Sequence, residues 1–476
     1  MRAEAAAAGS ETPVVDGLPG ADLDPRTRAL LTAPVGPLIA RMAWPNLVVM
    51  LLQASTGLIE TYWVGRLGSD ALAGMALVFP PFMLMQMLSV GAMGGGVSSA
   101  IARALGAGRR DDADRLAFHG VVLLGAIGLV FSVLMLAFGR PFYRLLGADG
   151  GALEAALAYS NVVFAGNVLL WVMNALASAM RGTGDMVVPA LVTCFGVALL
   201  IPLSPLLIYG YGPLPGFGVA GAGMAIVAFN ALGCAYLAWR LASGRAVVRP
   251  TRVPIETRFF ADIFKVGALA SLTSIQTNLI FIVVTALSGK IAGAPALAGY
   301  GVGARLEYLL IPLSFGFGAP LVSLVGTHVG AGEIERAKRI AFTGAVFAFA
   351  AAETIGLAAA AFPAAWLGIF GSDPAMIEAG SAYLRIAGPA YGFFAFGMAL
   401  YFASQGAGRL GKPLAVTVVR TAIAIGGAAL AAHMGAPLWT MFAAVTLAIL
   451  VYGSAMGWVT WRADWSRAAA ASRGRP

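Results

Sequence analysis

The sequence predicts an all-α polytopic membrane protein, with twelve transmembrane helices in two six-helix lobes related by internal duplication. Three observations carry that prediction. The 476 residues are 59% hydrophobic and only 11% charged, about half the charged share of a soluble domain. The charge gathers in short clusters between apolar runs of about twenty residues, each long enough to cross a ~30 Å hydrocarbon core as a helix. Finally, the chain matches itself at an offset of 224 residues.

Taken in order, residues 1–36 mix Ala, Gly, Pro and both signs of charge without an apolar face. They predict a mobile cytoplasmic tail and not a cleavable signal. Apolar runs set against Gly, Pro and charge punctuation then predict spans near 38–64, 72–102, 117–138, 155–180, 187–209, 216–240, 266–288, 296–327, 340–362, 379–404, 414–433 and 437–460. The first six form an N-lobe (37–240) and the last six a C-lobe (263–462). Between them, 241–262 reads as a cytoplasmic linker carrying Arg245, Arg249, Arg252 and Arg258 among Pro250 and Pro254, and 463–476 reads as a basic tail. With both termini inside, 23 basic residues fall on the cytoplasmic side, and only Arg66, Arg140, Arg144 and Lys290 fall outside. Topology therefore accounts for the net charge of +9 without a nucleic-acid partner. Cys194 and Cys234 sit inside apolar runs, at no metal or disulfide spacing.

The repeat register pairs Gly106-Ala107-Gly108 with Gly330-Ala331-Gly332 and continues through Arg115/Arg339, Phe118/Phe342, Gly147/Gly371, Asp149/Asp373, Tyr159/Tyr383, Gly182/Gly406, Gly184/Gly408 and Pro189/Pro413. Six crossings return the chain to its starting side. The halves are thus expected as parallel repeats about an axis along the membrane normal, with a cavity between them suited to alternating access.

Several strings resemble other chemistry and fail on inspection. Gly406 to Pro413 nearly spells a phosphate-binding loop, but Pro413 stands where the magnesium-binding Ser or Thr belongs and an apolar span precedes it. His119, His328 and His433 are scattered, and the spans supply no catalytic set. No enzyme, cofactor or metal site is expected.

Ionisable groups inside spans are expensive and point to function. Asn46, Gln53 and Glu60 recur every seven residues and give the first span a polar stripe that must face protein or water. Removing a carboxylate from water favours its neutral form, so Glu60 is the candidate proton-coupling group. The alternative is an acid marking the outer end of the span, beside Arg66. Asn167 and Asn174 share a face of the fourth span and are candidate partners for Glu60 or a substrate; ordinary interhelical bonding is the other reading. Arg305, two residues from Glu307 in the eighth span, is open between a substrate or gating role and structural bracing. Glu353, Arg385 and Arg420 read as interhelical pairs or snorkelling side chains. A run of methionines in the second span (Met75, Met83, Met85, Met87, Met93) suits either a varied apolar surface or plain core.

With those residues in view, the sequence resembles the multidrug and toxic compound extrusion (MATE) transporters, in particular the branch related to the DNA-damage-inducible F proteins. The resemblance rests on Glu60-Thr61-Tyr62-Trp63-Val64-Gly65-Arg66-Leu67-Gly68, Ala102 to Gly108, Arg181-Gly182-Thr183-Gly184-Asp185, Val325 to Gly332 and Gln405-Gly406-Ala407-Gly408, and covers roughly 36–462. It implies a bacterial inner-membrane efflux antiporter, expected as a monomer, that expels amphipathic and often cationic organic compounds in exchange for protons or sodium ions. A family aspartate, the coupling carboxylate, matches Glu60. The family's sodium-type string in the fifth span is replaced by Leu200-Ile201-Pro202-Leu203-Ser204-Pro205. The seventh span has Gln276, near Thr273 and Thr277, where another branch has an acid. Sodium needs several oxygen ligands, so protons are the expected counter-ion. A flippase for lipid-linked precursors, related in fold, is the rival reading.

Overall fold

The computed structural model describes residues 23–473. Ten of its helices are individually long and apolar enough to cross a bilayer, and the pair Gly150–Ala165 and Asn167–Gly182, bent by 45°, supplies another. Val35–Gly65, with 31 residues, completes twelve spans. The observed helices overrun the apolar stretches that announce them. The third span runs Arg110–Leu145, because Asp111 and Asp112 favour its first turn and Arg144 its last.

Two departures from straight helices shape the cleft and the bundle interiors. In the second span, Ser69–Met87 passes through a π-helical segment, Leu88–Met93, before continuing as Gly94–Gly106. Such a segment shifts the backbone ladder and exposes carbonyls to other donors. The fourth span breaks at Gly166, and the tenth breaks at the equivalent register, with a 3₁₀ turn at Gly388–Ala390 between Pro374–Ala387 and Tyr391–Gly406. The duplication thus extends from residue identities to helix geometry.

The seventh and eighth spans, Thr257–Ile291 and Leu297–Ala331, carry the second half of the pseudo-symmetry. The halves meet where the Gly-rich strings lie. A Cβ added at Gly326 would stand 2.8 Å from the Cβ of Ala102, its own repeat equivalent, so the axis passes between them. On either side, a Cβ at Gly106 would enter the Thr327 backbone and one at Gly330 the Arg103 backbone. Hydrogen bonds repeat the pattern. Ser99 Oγ donates to the carbonyls of Gln405 (2.5 Å) and Gly406 (3.0 Å), and its equivalent Ser323 donates to Gly182 (3.4 Å). The cores also interlock: Ile39 is buried in the core of the second half, and its equivalent Ile263 in that of the first.

Two short segments flanking the spans are helical where composition suggests none. Pro25–Thr32, within the expected mobile tail, is a helix capped by Asp24, with Thr27, Leu30 and Leu31 buried. Pro at the first helical position and an Asp cap start it, and an ion pair from Arg26 to Asp185 (2.9 Å) docks it. Ser466–Arg473 is also helical, beside a buried Trp465. The linker is shorter than its expected 241–262, since helix resumes at Thr257. It lies against the first half, with the Arg249 N–H on Asp114 (2.7 Å) and Arg110 on the Val247 carbonyl (3.0 Å).

Candidate functional site

Glu60 lies five residues before the end of its helix, yet only 6% of it is exposed. It forms no ion pair among the described residues, and its Oε1 is buried without a hydrogen-bond donor. Tyr159 of the fourth span is within electrostatic reach. Arg66, the cation nearest in sequence, is turned to the Tyr62 ring, 5.9 Å from its centroid. A carboxylate shielded from water, with an aromatic neighbour and no cation, can take up a proton without breaking an ion pair.

The companions expected for it are mostly engaged elsewhere. Asn46 is buried but donates to Met42 on its own helix (3.2 Å). The Gln53 side chain lies outside the described residues. Asn167 and Asn174 do not reach Glu60, which corrects that expectation: Asn167 donates to the Gly128 carbonyl (2.9 Å), and Asn174 to Ser89 Oγ (3.0 Å). The break at Gly166 is the cause. It places Asn167 at the start of a new helical segment, against the third span, where it is bonded as a brace. Gln276 is half-buried, with an unpaired Oε1. Arg305 is exposed, with its guanidinium 5.5 Å from the Phe370 ring centroid.

The second half holds a buried acid of its own. Glu307 is 2% exposed. It accepts from Tyr383 Oη at 2.5 Å and lies 3.6 Å from Arg420 of the eleventh span. Arg420 in turn stands over Phe394 and Tyr452, at 4.9 and 5.2 Å from their centroids. Sequence spacing separated Glu307 from Arg305 correctly but gave no sign that a residue 113 positions later would neutralise it.

Two cavities accompany these groups. One is an open groove of about 480 Å³ lined by Asn278, Phe281, Ile282, Thr285, Leu297 and Tyr308 among others. Its polar edge is fixed by Tyr308 donating to Asn278 Oδ1 (2.5 Å), while Asn278 Nδ2 approaches Met87 of the other half (3.7 Å). Neither Asn278 nor Tyr308 stands out in the sequence; an amide and a phenol one helix apart only become a pair once the hairpin of spans seven and eight is closed. The second cavity, about 10 Å³, lies between the halves and includes Arg181 and Gln405. The scattered histidines His119 and His328 are structural pins. His119 takes the Glu256 N–H on Nε2 (3.0 Å), and His328 accepts from Arg336 (3.2 Å).

The profile of the MatE family matches residues 45–206 and 270–430, one block in each half. A FAD transporter of Shewanella oneidensis is 28% identical over 381 residues, 79% of this chain and 82% of that protein. A probable multidrug resistance protein NorM of Thermotoga maritima is 27% identical over 385 residues, 80% and 82% of the two chains. Among solved structures, a MATE in complex with MaD3S resembles this fold with a TM-score of 0.82 at 27% identity, covering 93% of this chain and 98% of that one. A MOP superfamily transporter from Pyrococcus furiosus does so with a TM-score of 0.81 at 26% identity, over 94% and 99%. With one family block in each of two duplicated six-helix bundles, this chain belongs to the MatE family of multi-pass membrane transporters.

Proposed function

We propose that the protein is a secondary active efflux antiporter of the bacterial inner membrane, with both termini cytoplasmic, exporting small amphipathic organic compounds, cationic ones among them, in exchange for protons. One observation carries the coupling: Glu60 is buried, has an oxygen without a donor and, among the described residues, forms no ion pair. A proton arriving from outside neutralises it at little structural cost, and its release inside resets the charge. The change in charge alters how well the first span is accommodated in its bundle, and the two lobes, meeting on a common axis, are built to exchange openings.

The amphipathic substrate class is supported by the open groove of roughly 480 Å³, where aromatic and aliphatic side chains lie beside one amide and one phenol. The names of two relatives, a FAD transporter and a probable multidrug resistance protein, support transport of sizeable organic molecules. Orientation rests on the positive-inside rule, which makes the tightly packed, Gly-rich end the cytoplasmic one, so this conformation is closed on the inside.

The test is dye efflux from proteoliposomes with a pH gradient or a sodium gradient imposed separately. Transport is expected with the pH gradient alone and is expected to vanish in Glu60→Gln. Transport driven by sodium alone, or a Glu60→Gln protein that pumps normally, overturns the assignment.

A further inference from the structure

We infer that the floor of the cleft between the halves is a subsite for the anionic oxyacid head, a carboxylate or phosphate, of an amphipathic substrate, with Arg181 binding the anionic oxygens and Gln405 accepting from a donor on or beside the head. The inference rests on the transporter reading above and deepens it by naming a charge for the substrate.

Arg181 and Gln405 are repeat equivalents, separated by the same 224 residues that relate the halves. They line one small cavity together with Gly91 and Ser98 of the first half and Phe315 and Ala319 of the second. Arg181 has five N–H donors. Its hydrogen bond to Ser178 Oγ, 2.9 Å, occupies one of them, and among the described residues no carboxylate lies within ion-pair distance of it. Asp185, the nearest acid in sequence, is committed to Arg26 at 2.9 Å and to the Val188 N–H at 3.2 Å. Glu60 sits near the opposite end of its span. Arg103 donates to Ser99 Oγ and to the Gly406 carbonyl.

Gln405 supplies the second, independent observation. It is fully buried, and its Nε2 is held by the carbonyls of Gly91 (3.1 Å) and Ala92 (3.4 Å), which belong to the π-helical segment. That anchoring leaves Oε1 buried without a donor. A guanidinium lacking an anion and a carbonyl lacking a donor, side by side at low dielectric, are both costly. A protonated phosphate, or a carboxylate next to a hydroxyl or amide N–H, satisfies both. The guanidinium fork suits planar oxyanions. The cavity, about 10 Å³, is near the ~10–15 Å³ needed for a single water. In this closed conformation it therefore takes a single oxygen of the head, and the rest of the substrate enters when the halves part beside Phe315 and Phe402.

The experiment measures equilibrium binding of the carboxylate dye fluorescein and the cationic dye ethidium to the purified full-length protein, by fluorescence anisotropy. No gradient is present, so failure of proton coupling does not affect the result. Arg181→Gln is expected to weaken fluorescein about tenfold more than ethidium, the size of one lost charge-assisted bond, with Arg181→Lys between the two. Gln405→Glu, which gives Arg181 an internal anion, is expected to produce the same selective loss, and it keeps the test open should Arg181→Gln not fold. Equal weakening of both dyes, or none, overturns the proposal. Inorganic phosphate is titrated in parallel: competition with fluorescein in the wild type supports the site, whereas phosphate binding that depends on Arg181 and leaves fluorescein undisturbed marks an inorganic-anion site and overturns the substrate-head assignment.

Discussion

Each half of this transporter buries one glutamate near the same repeat tyrosine, and the two glutamates are settled differently. Glu60 of the first span lies within electrostatic reach of Tyr159 and has no cation partner. Glu307 of the eighth span is bonded to Tyr383, the equivalent of Tyr159, and is paired with Arg420. The acid has moved from the first helix of one repeat to the second helix of the other, while the tyrosine on the fourth helix stayed. A fixed guanidinium favours the ionised carboxylate, so under the proposed mechanism Glu307 is the brace and Glu60 the acid that trades its charge. Duplication supplied two similar frameworks, and a single arginine distinguishes the surroundings of their acids.

The sharpest way to break this contrast is to neutralise each acid in turn. Glu60→Gln is expected to keep the protein folded and to lower pH-driven efflux to background, read as dye transport per reconstituted molecule. Glu307→Gln is expected to act the other way round, chiefly on stability, because it strands Arg420 in a low-dielectric interior. Breaking a buried pair typically costs about 3–5 kcal/mol, which a thermal unfolding assay in detergent detects easily. If Glu307→Gln retains its unfolding temperature and loses only coupling, both acids are proton carriers and the contrast fails.

Removing the pair as a unit sharpens the same point. Glu307→Leu combined with Arg420→Leu is expected to recover most of the stability lost in Glu307→Gln, since well-packed apolar residues often replace a buried ion pair without penalty. A double variant less stable than the single one would show that Arg420 is held mainly by Phe394 and Tyr452.

A smaller effect is expected where the halves are most alike. Ser99→Ala removes a hydroxyl that donates to Gln405 and Gly406, and Ser323→Ala one that donates, at the longer distance of 3.4 Å, to Gly182. Each change removes hydrogen bonding between the halves and weakens the closed end by roughly 1 kcal/mol. Accessibility of a cysteine placed in the cleft, measured by labelling rate from the Gly-rich side, is expected to rise for both variants, and more for Ser99→Ala. Equal rates to wild type would show that packing at Gly106 and Gly330 alone holds this end.

How much of this was legible in the sequence depends on which interactions are local. Helix lengths, the duplication and the polar stripe of the first span rest on composition and spacing, and those features survive reading in one dimension. The break at Gly166 was not legible, because an Ala-Gly-Asn string inside an apolar run has no strong stop signal; it redirected Asn167 and Asn174 to the third and second spans. The docked helix at Pro25–Thr32 was hidden for a related reason. Its Asp-Pro start is a recognisable cap, but the apolar face of Leu30 and Leu31 is too short to register until the second half provides a surface. Arg420, Gln405 and Arg181 acquire meaning only from partners more than eighty residues away.

The last contrast concerns how the chain enters each half. The segment leading into the first span is tied to the second half by Arg336, which donates to the Ala33 carbonyl at 2.5 Å. The segment leading into the seventh span is tied to the first half by Arg115, 2.8 Å from Glu256, and by His119. The first of these ties ends on a backbone carbonyl and the second on a carboxylate that acid protonates. A hydrogen bond from Arg258, reinforced by Arg115, holds the Glu256 carboxyl below the ordinary glutamate range. With the folded value depressed, the stabilising contribution is fully present above the unfolded value, roughly 4.3, and is lost as pH falls through the folded one. Amide hydrogen exchange, corrected for its intrinsic pH dependence, is therefore expected to quicken in the 243–256 linker as pH falls below roughly 4.3. The shift is expected to be modest because both partners are partly solvated. Glu256→Gln is expected to show the looser linker already at neutral pH, and linker exchange in that variant that still quickens on acidification would assign the response to Asp114, which accepts from the Arg249 N–H, instead.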